Sequence, residues 1–207
     1  MNKKSIIGAT LALSMALLAN ASWAVEVVTL EAKAAAIIKR DFRDKGIAKA
    51  DRVIQDELQA SCSKYLDNLP AKLNDKIKAQ QEAVMKYPAD GVYMGDWKAG
   101  EKLAQSGRGM TWSDKAEEQP GGNCYNCHRL SSKEIAYGTI GPSLLHIGKD
   151  RGNTVEIQKY IYGRIYNAKA YNPCANMPRF GHMGILGEVQ IKDLVALLLD
   201  PESPVNK

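Results

Sequence analysis

Residues 124–128 read Cys-Tyr-Asn-Cys-His, and no other stretch limits the chain so strongly. Two thiols separated by two residues can reach the two vinyl groups of one porphyrin. The residue directly after them can swing an imidazole beneath the iron. A fold built around this stretch must enclose one face of a flat, apolar macrocycle. Cys124 and Cys127 are therefore candidates for the thioethers of a single covalent haem c, and His128 for the proximal iron ligand. Two other chemistries use Cys-x-x-Cys. A thioredoxin-like redox pair sits in a βαβ context and has no need of His128. Half of a zinc site needs a second Cys/His pair at ligand spacing, which this sequence lacks.

The compartment follows from the N-terminus. Lys3 and Lys4 precede an apolar run from Ile6 to Leu18, and Ser22-Trp23-Ala24 offers small residues at the cleavage positions. This predicts a secretory signal peptide over 1–24, too short to span a bilayer comfortably, and a periplasmic chain free of the membrane once cleaved. Cleavage removes two of the five net positive charges. The mild charge left, with no basic stripe interleaved with aromatics, excludes a nucleic-acid-binding surface. Free thiols are uncommon in an oxidising compartment. Outside the motif the chain has Cys62 and Cys174, and these are expected to form a disulfide pinning the N-terminal segment to the loop around Cys174. The rival reading makes Cys174 a sulfur-carrying thiol.

Periodicity gives an all-α chain. Residues 25–92 read as a helical N-terminal extension of two or three helices, and 93–207 as a haem domain. Ile54, Leu58 and Cys62 recur every four residues, with Tyr65 and Leu66 following on the same side. Pro70 suits a helix start and Pro88 a stop, with Leu73, Ile77, Val84 and Met85 as the apolar stripe between. Asp96 can cap a short helix to about Gln105, and Gly107 can end it. Ala99 and Gly100 would let that helix cross the last one closely, with Trp97 and Leu103 packing at the crossing. Residues 107–123 read as a loop. Thr154 can cap a helix containing Ile157 and Ile161. The last helix starts near Glu188, carries Ile191, Leu194, Val195 and Leu198, and stops at Pro201.

The second axial position has three candidates after the motif. Met177 sits in Asn176-Met177-Pro178 on an irregular loop that Pro178 stiffens. A His/Met pair closes the iron and suits electron transfer. His182 and Met183 are the alternatives, and His146 reads as a surface or propionate-side histidine. Pro142 offers a carbonyl on a rigid turn to the second ring nitrogen of His128. Tyr125, Arg129 and Arg179 read either as residues of an exposed haem rim or as plain solvated surface.

The stretches GDWKAGEKLAQSGRG, GGNCYNCH, YGTIGPSL, GRIYNAKA, NMPRFG and IKDLVALLLDPESPVN resemble class I cytochromes c. They are most similar to the SoxX family, the monohaem subunits of SoxAX complexes in bacterial sulfur oxidation. They span about residues 95–206. The resemblance implies a class I cytochrome c fold with haem c on Cys124 and Cys127 and axial ligands His128 and Met177. It also implies a heterodimer with a SoxA-type cytochrome that carries the catalytic cysteine. That complex couples thiosulfate oxidatively to a cysteine of the SoxYZ carrier protein (L-cysteine S-thiosulfotransferase). By this resemblance the chain itself carries electrons, passing them to a small soluble cytochrome c, and supplies no catalytic residue. The motif alone would equally suit a free-standing monohaem shuttle, and an open sixth position would suit a haem enzyme. The long loop before Cys124 and the extension at 25–92 lie outside the resemblance.

Overall fold

A helical stretch that is apolar on every side needs cover on every side, and residues 194–199, the second half of the C-terminal helix, are such a stretch. The computed structural model describes Leu30 and residues 32–207; the signal peptide expected over 1–24 lies outside the described residues. From residue 55 onward six α-helices are joined by loops and short 3-10 turns. They are α1 Glu57–Lys64, α2 Ala71–Ala83, α3 Trp97–Gln105, α4 Ile147–Arg151, α5 Val155–Tyr166 and α6 Glu188–Leu199. Among the described residues there is no extended strand and no helix long and apolar enough to cross a membrane. The chain divides into two units, one holding residues up to 45 with 49–54, the other 46–48 with 55–207. In the first, residues 32–41 are helical and a 3-10 turn follows at Ala50–Val53. There the Asp44 carboxylate accepts from the Ala50 amide at 2.9 Å.

In the second unit α6 buries Ile191 and every residue from Leu194 to Leu199. Helix α3 lies directly against it. The Asp96 carboxylate caps α3 by accepting from the Lys98 amide at 2.9 Å. The Asp193 carboxylate of α6 accepts from the Asp96 amide at 2.8 Å. Gly100 is buried at the crossing: a methyl there would overlap the Asp193 carbonyl and lie 3.0 Å from the Leu197 Cβ. Leu103 packs on the core, whereas Trp97 is half-buried with the Lys98 ammonium over its ring. Helix α5, capped by the Thr154 hydroxyl, adds Ile161, Tyr162 and Ile165 to the same core.

The segment after α6 turns back and buries Ser203, Val205 and Asn206. The Asn206 side-chain amide donates to the carbonyls of Leu198 at 3.0 Å and Asp200 at 2.9 Å. Its oxygen accepts from the amides of Gly148 at 2.9 Å and Lys149 at 3.3 Å in α4. One buried side chain thus satisfies the free carbonyls of one helix end and the free amides of another. Removing it strands all four groups. Asn206→Ala is expected to lower the unfolding free energy by about 3 kcal/mol, read from the shift of a urea midpoint at unchanged slope.

The extension departs from the periodicity in three places. The Asp56 carboxylate accepts from the Gln59 amide and the Gln59 side chain accepts from the Asp56 amide, so α1 starts after Asp56. Ile54 therefore lies before the helix and is 73% exposed. Helix α1 ends at Lys64, and Leu66 and Asp67 take positive φ, which turns Leu66 out to solvent. Helix α2 ends at Ala83, five residues short of Pro88, leaving Val84 exposed. Leu58, Cys62 and Ile77 form a small separate core, joined by Leu69, Leu73 and Cys174.

Candidate functional site

The Cys-x-x-Cys-His stretch folds as one tight turn. Asn123 enters it in the left-handed region, which asparagine tolerates, and Cys124–Asn126 form a 3-10 turn. The Cys124 carbonyl accepts from the amides of Cys127 at 3.1 Å and His128 at 2.9 Å. Both cysteines and the histidine therefore come from a single turn of chain, and both thiols are unpaired. Residues 138–144 lie along this turn. The amides of Gly138, Gly141 and Leu144 donate to the carbonyls of Tyr125, Cys127 and Arg129, each at 2.8 Å. Such close approach needs glycine at two of these positions. A methyl on Gly138 would overlap the Asn126 carbonyl, and one on Gly141 would lie 2.5 Å from His128 Nδ1. This alignment sets the Pro142 carbonyl 2.7 Å from His128 Nδ1. A carbonyl only accepts, so Nδ1 carries the ring proton and Nε2 presents a lone pair.

Tyr125 and Arg179, expected at an exposed rim or on plain surface, are both buried, at 6% and 8% exposure. The reason is a partner in each case. The Tyr125 hydroxyl donates to Glu101 Oε1 on α3 at 3.2 Å, and the Gln105 amide donates to the same oxygen at 2.8 Å. Burial first, and then the Glu101 carboxylate, push the Tyr125 phenol well above its ordinary range and keep it a donor. Burial likewise pushes the Cys124 thiol up to about 12, so a free thiol there stays neutral. Arg129 is half-buried with its guanidinium over the Tyr137 ring, and its Nε is buried without a partner. His146 Nδ1 is also buried without a partner.

Met177 is half-buried and packs against the main core, as Cys124 and Leu144 also do. Its loop is fastened on both sides. Before it, Cys174 is joined to Cys62 of α1 by a disulfide, and the Lys169 ammonium donates to the carbonyls of Pro173 at 3.2 Å and Ala175 at 3.0 Å. After it, the Arg179 guanidinium pairs with Asp56 at 2.5 Å and reaches Gln81 Oε1 at 3.5 Å. Burial pushes the Asp56 carboxyl up, but the Gln59 amide and then Arg179 outweigh it and hold the group below its usual range. His182 is half-buried, and Met183 is 59% exposed. Burial, and then Arg179, lower the affinity of His182 for a proton.

Sequence reading missed the network of Asp56, Gln81, Asn167 and Arg179. Asn167 is fully buried and donates to Gln81 Oε1 at 3.1 Å. The one legible signal was the Asp56-x-x-Gln59 capping box, which marks a helix start and says nothing about a distant arginine.

These residues fit a covalent haem. Two unpaired thiols and an imidazole with Nε2 available come from one turn, and a thioether comes from a loop packed on the same core. The thiols suit the porphyrin vinyl groups, and the imidazole nitrogen and the thioether sulfur suit the iron. A family profile described as "Cytochrome c" matches residues 98–200. An "Uncharacterized lipoprotein" of Aquifex aeolicus (strain VF5) is 40% identical over 156 residues, which cover 74% of this chain and 73% of that protein.

Proposed function

The chain belongs to the cytochrome c family, carries haem c and transfers electrons, and on that premise we propose that it is a SoxX-like monohaem subunit of a thiosulfate-oxidising SoxAX complex. The observation that carries the finer reading is the succession GGNCYNCH, YGTIGPSL, NMPRFG and DPESPVN. These stretches supply the attachment turn, the segment aligned on it, the Met177 loop with Arg179, and the tail that closes α4 onto α6.

In this reading Cys124 and Cys127 would hold the haem through thioethers, and His128 and Met177 would hold its iron. When bound, haem c supplies a one-electron couple. The Pro142 carbonyl fixes the His128 ring in one tautomer and orients Nε2. Met177 would offer its thioether to the iron, a donor that suits electron transfer. The bond chemistry belongs to the partner: a carrier-protein thiol and thiosulfate join through a new sulfur–sulfur bond, releasing one proton and two electrons. A monohaem chain takes these one at a time and passes them to a small soluble cytochrome c.

Export to the periplasm fits the signal-peptide pattern, the Cys62–Cys174 disulfide and the lipoprotein name of the relative.

Two measurements test the assignment. The oxidised protein is expected to show the near-infrared sulfur-to-iron band, and Met177→Ala to lose it; an unchanged spectrum would remove Met177 from the ligand set. Purification from the native periplasm at low salt, with intact mass of each component, is expected to return this chain with one haem beside a second haem-bearing subunit, and the complex to consume thiosulfate in the presence of its carrier. Elution alone with one haem would favour a free-standing shuttle.

A further inference from the structure

The short helix α1 has no counterpart in the stretches that resemble other cytochromes, yet it holds both ends of the span that carries Met177. Cys174, on one side, is bonded to Cys62 inside α1. Arg179, on the other side, is paired with Asp56, the residue that caps α1. Between these two anchors lie only residues 175–178. Beyond Arg179 the chain is fixed again: the Arg179 carbonyl accepts from the Met183 amide at 2.9 Å, and the Phe180 carbonyl from Ile185 at 2.9 Å and Leu186 at 3.1 Å.

The Arg179 guanidinium carries a permanent charge and its side chain is 8% exposed. A charge removed from water in this way is tolerated only when paired and hydrogen-bonded. Its carboxylate partner is Asp56, and Gln81 adds a neutral oxygen at 3.5 Å. Lys169 and His182 also interact with this pair, and neither can replace the carboxylate. Without Asp56, Arg179 gains by moving toward water, and Met177, two residues earlier, moves with it.

We propose that α1 is a clamp on the distal-ligand span, and that Asp56 is a positioning residue that keeps Met177 on the iron by holding Arg179. The proposal rests on Met177 being the sixth ligand. It assigns a role in ligation to the N-terminal extension.

The test uses the full haem-bearing chain in its oxidised form. Imidazole is titrated in, and displacement of the thioether is followed by loss of the sulfur-to-iron band. Asp56→Asn removes the charge but keeps the cap, since asparagine caps as well as aspartate. Gln59→Ala breaks the reciprocal capping bond and leaves the Arg179 pair in place. Asp56→Asn is expected to bind imidazole roughly tenfold more tightly than the parent, the usual scale for a group that orients a metal ligand. Gln59→Ala is expected to match the parent. Unchanged affinity in Asp56→Asn overturns the clamp, as does an equal gain in Gln59→Ala, which would trace the effect to helix capping. Met177→Ala separates the two levels of the argument. If it retains the band, the ligand assignment itself fails and the clamp falls with it; if it loses the band while Asp56→Asn is silent, the clamp alone fails.

Discussion

Replacing Cys62 and Cys174 together by alanine is expected to lower the unfolding free energy of the haem-bearing protein by about 4 kcal/mol. The two residues are 112 apart in sequence, so the disulfide closes a long loop. Loop entropy in the unfolded chain grows with length, and this crosslink falls near the upper end of the range. The loss is a large share of the roughly 5–15 kcal/mol available to a domain of this kind. It corresponds to a midpoint about 8–16 °C lower. The double replacement is preferred because a single one leaves an unpaired thiol three residues from Met177. The small core of Leu58, Cys62 and Ile77 keeps its other members, so the loss should come from the unfolded state more than from packing. A midpoint within a degree or two of the parent would mean that the unfolded chain is already confined, with the haem at Cys124 and Cys127 as the obvious constraint.

Gly100→Ala should reverse the ordinary sign of its substitution. In an exposed helix interior this change gains about 1 kcal/mol, because glycine gives up more backbone freedom on folding. Here it is expected to lose about 3 kcal/mol. The added methyl would overlap the Asp193 carbonyl and press on the Leu197 side chain, both parts of a regular helix that cannot yield locally. The alternative is for α3 and α6 to separate, which opens the most deeply buried face of α6. Two bonds that tie the start of α3 to α6 would stretch with it: Gly95 to the Lys192 carbonyl at 3.1 Å, and Asp96 to the Asp193 carboxylate. Lys98→Ala, on the exposed side of the same helix, serves as the control and should change stability by less than about 0.5 kcal/mol. A stabilised Gly100→Ala protein would show that the crossing has room for a side chain.

The sequence announced both of these sites, the disulfide because Cys62 and Cys174 are the two cysteines outside the haem motif. The close crossing was legible because a capped helix with small residues on one turn leaves few ways to pack. The all-α class, the caps at Asp96 and Thr154 and the apolar face of α6 were legible for similar local reasons: they rest on spacing and capping within a dozen residues. Where the reading failed, a local pattern met a distant partner or an earlier stop. Ile54 matched the period of α1 but lay outside the cap that Asp56 and Gln59 build between them. Arg179, next to a proline in a loop, had the look of a solvated side chain. Its carboxylate lies 123 residues upstream, and no periodicity connects them. Tyr125 stands between two cysteines in a motif whose surface position seemed natural, and only the fold brings Glu101 to its hydroxyl. The haem motif itself was legible because its chemistry is contained in five consecutive residues.

The pairing of Cys62 with Cys174 also constrains the order in which the chain can mature. Leaving the ribosome or a translocation pore N-terminus first, the thiols emerge as 62, 124, 127 and 174, so the partner of Cys62 arrives last. An oxidant acting on thiols as they appear would join Cys62 to Cys124 or Cys127, which traps the wrong connection and removes a haem attachment point at once. Four cysteines allow three complete pairings, and just one of them contains the 62–174 bond. Two routes avoid the error. Either an isomerase reshuffles the bonds after synthesis, or porphyrin capture at 124 and 127 comes first and withdraws both competitors as thioethers. In the second route cofactor insertion acts as the protecting group for the disulfide, and a cell starved of haem would accumulate crosslinked, misfolded chains.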